Sequence, residues 1–105
     1  KTKRMPTDIQ AADYSATMTY LKAVEAAKSI DADKVMEKLK STPIDDFYAK
    51  GTIRPDGRFA HDMYLVQVKA PSESKEPWDY YKVVSKLPAD QVWTTKAESK
   101  CTLWK

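Results

Sequence analysis

The spacing of apolar residues changes near residue 46, and this change limits the folds that the chain can adopt. Before that point, apolar side chains recur every three or four residues, which is the spacing of an amphipathic helix. We predict a first helix over residues 6–30, with Thr7 or Asp8 as its N-cap. Alanine is abundant in this segment and favours helix.

A second, shorter helix is predicted after the first. Asp31 or Asp33 can cap its start, and Pro43 ends it because proline lacks the backbone N–H that a helix needs. Val35 and Leu39 lie on its apolar face, and lysines cover much of the remainder.

Beyond residue 46, the pattern predicts strands and turns. Residues 51–54 are predicted to form a short strand, and Pro55-Asp56-Gly57 is a strong turn signal. Phe59–Lys69 is the best strand candidate, and we expect both of its faces to be covered because both are mostly apolar. Trp78–Leu87 is predicted as a further strand, followed by a polar tail over residues 90–105 with a few isolated apolar anchors.

Composition excludes several classes of site. The chain of 105 residues has two glycines, too few for a Gly-rich phosphate loop. It has one histidine and one cysteine, which excludes a zinc site of Cys and His ligands and a disulfide within the chain. The net charge of +3 comes from mixed charges without a basic stripe, so we predict no nucleic-acid partner. Because the first residue is Lys and not Met, we expect the chain to be truncated or processed.

Few residues are candidates for chemistry. His61 and Asp62 are adjacent, so on a strand their side chains point to opposite faces and do not form a catalytic pair. We expect Asp13 and Tyr14 to lie in the first turn of the long helix, where free N–H groups suit a carboxylate ligand. The alternative is that Tyr14 packs in the core and Asp13 is an ordinary first-turn acid. Cys101 is either a thiol with a lowered pKa beside Lys100 or half of a disulfide with a partner outside this chain.

A series of short segments occurs in a characteristic order. These segments are Tyr14–Ala16, Tyr20–Val24, Asp31–Val35, Phe47–Gly51, Ile53–Arg58, His61–Leu65, Pro77–Lys82 and Glu98–Cys101. Together they resemble the C-terminal part of type I periplasmic solute-binding proteins of ABC importers, which include the branched-chain amino acid binding proteins. Members of that family are much longer chains.

The resemblance implies an α/β fold with two lobes that close on a ligand. Residues 1–58 would supply helices and a turn of one lobe, and residues 59–105 a crossover strand, a hairpin and the tail. The implied partners are a small-molecule ligand such as a branched-chain or other amino acid, the remainder of the receptor chain, and a membrane permease. The implied location is the periplasm, with no metal or cofactor. Asp13 and Tyr14 would face the ligand cleft, and Cys101 would pair with an upstream cysteine.

Other functions stay open at this point. The chain can instead be a receptor for amides or aromatic carboxylates. It can also be a standalone interaction domain that binds a protein partner through exposed aromatic side chains, namely Trp78, Tyr80, Trp93 and Trp104. An enzyme ranks last, because the sequence offers no pair of nucleophile and base.

Overall fold

The computed structural model describes residues 4–104. Two helices come first and the strands follow, in the order predicted from the sequence, and a short third helix comes after the last strand. The elements in chain order are α1 (Asp8–Ala27), α2 (Ala32–Ser41), β1 (Ile44–Asp45), β2 (Lys50–Ile53), β3 (Phe59–His61), β4 (Met63–Val68), a single 3₁₀ turn (Pro71–Glu73), β5 (Tyr81–Leu87) and α3 (Ala89–Val92).

Helix α1 is shorter at both ends than the predicted segment 6–30. Thr7 is its N-cap and forms a capping box, in which Thr7 Oγ1 accepts from the Gln10 N–H at 3.2 Å and Gln10 Oε1 accepts from the Thr7 N–H at 3.1 Å. The helix ends at Ala27 because Lys28 adopts the left-handed conformation, with φ of 49°.

Helix α2 packs against α1. Asp31 is its N-cap and accepts from the Lys34 N–H at 3.2 Å, which confirms one of the two predicted caps. The helix ends at Ser41, just before Pro43. Val35 and Ala23 are 3% and 7% exposed, and they are the buried apolar side chains of the described residues. The small core therefore lies between the two helices.

The strands form two separate antiparallel sheets. β1, β2 and β3 follow one another in a three-stranded sheet, and Gly51 pairs with His61 across β2 and β3. The predicted turn lies between these strands, where Gly57 has a φ of 84° that favours glycine. β4 and β5 form a two-stranded ribbon with an irregularity between Leu65 and Val66.

The prediction of one continuous strand over Phe59–Lys69 is wrong. The strand breaks at Asp62, so that β3 and β4 belong to different sheets. The Asp62 carboxylate accepts from the Ala89 N–H at 3.0 Å and pairs with Lys86 at 2.7 Å. These two contacts come from residues beyond β4, and they hold Asp62 at a break that the local sequence does not signal.

The boundaries after β4 also differ from the prediction. β5 begins at Tyr81 and not at Trp78, because Trp78 and Tyr80 form a turn in which the Tyr80 N–H donates to the Trp78 carbonyl at 3.0 Å. An ion pair of 2.6 Å between Lys69 and Asp79 closes the loop that leads into this turn. The predicted polar tail begins with the short helix α3, which was not predicted from the sequence.

Little of the surface of the ribbon is covered within this chain. The expectation that both faces of β4 are covered is wrong for the described residues, since every residue of β4 is exposed.

The extents of the molecule are 52 × 40 × 18 Å and its radius of gyration is 17.1 Å, against about 13 Å for a compact domain of this length. None of the helices within residues 4–104 has the length and hydropathy needed to cross a membrane. The flat shape leaves large apolar areas open to contacts from outside the chain.

Candidate functional site

Asp13 and Tyr14 lie in the second turn of α1. The helix begins at Asp8, so the prediction that they occupy the first turn is wrong. The N–H groups at this depth of a helix bond to carbonyls one turn earlier and are not free for a carboxylate ligand. Both side chains are exposed, and Tyr14 keeps 61% of its accessible surface. Any contact that they make with a ligand therefore comes from the side chains.

Tyr14 forms an aromatic pair with Phe47, which lies in the loop between β1 and β2. The ring centroids are 5.8 Å apart and the ring planes meet at 61°, an edge-on arrangement that aromatic rings favour. Phe47 is 67% exposed. Phe47 was not among the candidates predicted from the sequence, because the two residues are distant in the chain.

A part-buried hydrogen bond joins the residues next to this pair, Ser15 and Asp46. Ser15 is 5% exposed, and its hydroxyl donates to Asp46 Oδ2 at 2.5 Å. Asp46 Oδ1 accepts from the N–H groups of Tyr48 and Ala49 at 2.8 and 3.1 Å. The hydrogen bond from Ser15 is the main cause that lowers the pKa of Asp46, and the two N–H groups and the charge of Lys22 lower it further. The loop is thereby tied to α1 through one carboxylate.

Replacing Ser15 with alanine is expected to lower the free energy of unfolding by about 1.5 kcal/mol at pH 7, because Asp46 loses its buried donor. Since the folded-state pKa of Asp46 lies below its ordinary value of 3.8, this stabilisation is present above pH 3.8 and is lost as the pH falls through the folded-state pKa. Urea unfolding of the intact protein at pH 7 and pH 3 measures both effects.

The matched control for this prediction is Thr17→Ala in the same helix. Thr17 is exposed, so its replacement is expected to change stability by less than about 0.5 kcal/mol at either pH. A difference between Ser15→Ala and wild type that stays equally large at pH 3 contradicts the role assigned to the Asp46 carboxylate.

A second polar centre holds the tail against the turn between β2 and β3. Arg54 donates from Nε and Nη2 to the two carboxylate oxygens of Asp56 at 3.2 and 2.6 Å, and from Nη1 to the Thr94 carbonyl at 2.9 Å. Its guanidinium carbon lies 4.0 Å from the centre of the Trp104 ring. The hydrogen bond from Arg54 lowers the pKa of Asp56. This centre organises the tail, and each of the three side-chain nitrogens of Arg54 donates to a partner.

His61 belongs to an aromatic cluster rather than to an acid–base pair. Its Nδ1 lies 2.8 Å from the Asp62 carbonyl oxygen, and its ring is 5.4 Å from Trp93 and 4.9 Å from Phe59. The Asp62 carboxylate pairs with Lys86 at 2.7 Å and accepts from the Ala89 N–H at 3.0 Å. Asp62 lies between β3 and β4 and not on a strand, so the strand geometry that was predicted to separate the two side chains does not apply. Within residues 4–104, no group of three His, Cys, Asp or Glu residues is placed to hold a metal ion.

Two open cavities accompany these centres. The first, of about 300 Å³, lies between α1, α2 and β1 and is mostly apolar, with Ala23 and Leu39 in its wall. The second, of about 310 Å³, lies beside the tail and is lined in part by Trp93 and Trp104. Neither of these two cavities includes Asp13 or Tyr14, and both of those side chains are exposed. Cys101 is exposed, and its pairing stays a prediction.

Comparisons with known proteins give consistent matches. A family model described as periplasmic binding protein matches residues 1–75. The crystal structure of a periplasmic binding protein from Burkholderia mallei is 66% identical, with a TM-score of 0.96, and the match covers 100% of this chain and 28% of that one. A branched chain amino acid ABC transporter periplasmic ligand-binding protein from Burkholderia xenovorans LB400 is 45% identical, with a TM-score of 0.93, over 99% of this chain and 28% of that one. A search of curated proteins found no match.

Proposed function

We propose that this chain, which belongs to the periplasmic binding protein family, is the C-terminal segment of a receptor that captures an amino acid for an ABC importer. The family model covers residues 1–75, which is more than half of the chain, and this confirms the resemblance that the sequence suggested. The α/β fold class is confirmed as well, since the whole chain superposes on a member with a TM-score of 0.96. Members of this family bind solutes and are not enzymes.

The observation that carries the proposed ligand class is the match to the protein from Burkholderia xenovorans. At 45% identity over 99% of this chain, the relative named for branched-chain amino acids retains the same arrangement of helices and strands. An amino acid with an apolar side chain is therefore the first solute to test. A permease partner and a periplasmic location are proposed on the same ground.

The exposed ribbon supports the proposal that the remainder of a longer receptor covers this segment. The chain spans 28% of the length of the two relatives. A two-stranded ribbon is marginally stable in water unless a further layer packs on it. Val68 and Val83 are 72% and 59% exposed in β4 and β5, so the ribbon has ample apolar surface to bury. The part of the full-length receptor that lies outside this segment supplies the layer that covers the ribbon.

The alternative of a standalone interaction domain needs four exposed aromatic side chains, and two of these four pack within the chain. The Trp93 indole donates to the His61 carbonyl at 2.7 Å, and the Trp104 ring packs on the Arg54 guanidinium. Both rings are thus engaged within the chain, which leaves Trp78 and Tyr80 for a partner. This pattern favours a receptor segment over a surface built around a cluster of exposed aromatics.

Thermal unfolding of the full-length receptor tests the proposed ligand class. L-leucine, L-isoleucine and L-valine are each added, and acetamide and benzoate are added separately to test the amide and aromatic carboxylate alternatives. A ligand at a hundred times its Kd is expected to stabilise the receptor by about 2.7 kcal/mol, and hence to raise Tm by several degrees. Stabilisation by acetamide or benzoate alone would reassign the ligand class. A Tm unchanged by all five compounds contradicts capture of these solutes.

A further inference from the structure

We propose that α1 is an interior helix of the complete receptor, and that the N-terminal portion of the same receptor chain covers the apolar side chains that α1 leaves open here. This inference rests on the part of the proposed function that makes this chain a C-terminal segment. It adds a second covered surface to the ribbon. The observation that carries it is that exposed apolar side chains lie on opposite sides of this long helix.

The two long helices differ in their share of charged residues. Five of the ten residues of α2 are charged, and its buried residue is the apolar Val35. An amphipathic helix of this kind keeps one face in the core and the other in water. Only four of the 20 residues of α1 are charged, and large exposed apolar side chains occur from Ile9 to Leu21. A helix that is apolar on most of its sides is typical of a protein interior.

The exposed apolar side chains of α1 cannot all face one small molecule. Ile9 is 74% exposed, Met18 37% and Leu21 52%. Ile9 and Met18 are nine residues apart, which is about two and a half turns, so they lie on opposite sides of the helix. Ile9 and Leu21 are separated by about 18 Å along the helix axis, at a rise of about 1.5 Å per residue. The open area therefore extends both along the helix and around it.

The size of this area indicates a protein layer as its cover. A helix with its side chains is about 10 Å across, so a captured amino acid on one side leaves the apolar side chains on the other side in water. A folded chain has the area to contact both sides. This chain spans 28% of the length of its two relatives, so most of a receptor of that length lies outside this segment. That portion is covalently joined to α1 and is present once in every copy.

Thiol labelling of the full-length receptor without added solute tests this inference. The variants are Ile9→Cys and Leu21→Cys in α1 and the matched Glu37→Cys in α2, where Glu37 is exposed and lies on the far side of the helix from Val35. N-ethylmaleimide is the probe, and peptide mass spectrometry reads each thiol separately from Cys101. Both α1 variants are expected to react at least about a hundredfold more slowly than Glu37→Cys in the native receptor, and at the same rate as Glu37→Cys in concentrated urea.

Met18 gives a second measurement that needs no substitution. Hydrogen peroxide oxidises exposed methionine to the sulfoxide, which peptide mass spectrometry detects. In the wild-type receptor, Met18 is expected to be oxidised at least about tenfold more slowly in the native state than in concentrated urea, because it is covered only when the receptor is folded. Comparable rates in the two states contradict the inference even if the cysteine variants fail to fold.

The outcomes also distinguish the possible covers. Slow labelling of Ile9→Cys and Leu21→Cys without solute, at every receptor concentration, supports the inference. Labelling as fast as that of Glu37→Cys overturns it. Protection that appears only with an added solute assigns the cover to that solute, and protection that grows with receptor concentration assigns it to a second copy, so either result overturns the inference. A receptor that protects both positions but is stabilised by none of the five compounds loses the proposed capture of those solutes and keeps this inference.

Discussion

Replacing Gly51 with alanine is expected to lower the free energy of unfolding by about 3 kcal/mol. Gly51 lies in β2 directly opposite His61 of β3, and an added Cβ would overlap the backbone carbonyl oxygen of Ala60 and lie 2.9 Å from Phe59 Cε2. Backbone in a paired strand cannot move aside without loss of its ladder hydrogen bonds. Urea unfolding of the full-length receptor, followed by far-UV circular dichroism, measures the loss.

Gly57→Ala is the matched control for Gly51→Ala. Gly57 lies in the turn at a φ of 84°, and among the described residues no heavy atom beyond Gly57 and its two chain neighbours lies within 4 Å of an added Cβ. Its replacement is expected to lower stability by about 1 kcal/mol, through backbone strain alone. Equal losses for the two variants would contradict the close approach of β2 and β3 at Gly51.

Replacing Trp93 with alanine is expected to lower the free energy of unfolding by about 3 kcal/mol. The ring contacts His61 and lies 5.2 Å from the Arg58 guanidinium, and its Nε1–H donates to the His61 carbonyl at 2.7 Å. Trp93→Phe keeps an aromatic ring and removes the indole donor, so it is expected to lower stability by only about 1 kcal/mol.

The pair of Trp93 variants separates packing from hydrogen bonding. Urea unfolding of the full-length receptor gives both values under the same conditions. If Trp93→Phe is as destabilising as Trp93→Ala, ring packing on His61 contributes little, and the hydrogen bond alone anchors the tail. If Trp93→Phe is as stable as wild type, the indole donor has no measurable role.

The helices were predictable because their signals are local. Thr7 and Asp31 cap the two helices through side chains that reach only three residues along the chain. The ends needed more than periodicity, since the left-handed conformation of Lys28 stops α1 before the apolar spacing stops. The turn at Gly57 was predictable for the same reason, because proline and glycine act within a few residues.

The break at Asp62 was not predictable from local sequence. The contacts that hold it come from Lys86 and Ala89, which are more than twenty residues away in the chain. Periodicity alone continued the strand through Asp62 because apolar residues occur both before it, at Phe59 and Ala60, and after it, from Met63. The exposure of β4 also escaped prediction, since apolar residues on both faces indicate that a strand is covered but not what covers it.

At the candidate site too, features with local signals were predictable and features that depend on distant contacts were not. Asp13 and Tyr14 were selected because they lie near the start of a helix, and the structure keeps them exposed there, one turn later than expected. Phe47 was missed because its link to Tyr14 depends on the hydrogen bond between Ser15 and Asp46, which spans 31 residues. An aspartate before two aromatic residues is too common a pattern to indicate such a link from sequence.

The junction between β3 and β4 is held by side-chain contacts as well as by the backbone. Asp62 is the one residue between these strands, where the chain passes from one sheet to the other. Its carboxylate is bound by Lys86 and Ala89, while the preceding carbonyl of His61 is bound by Trp93. All three restraining groups follow β4 in the chain. A change in the angle between the two sheets therefore has to break or distort an ion pair and two hydrogen bonds at once, so these contacts resist it together.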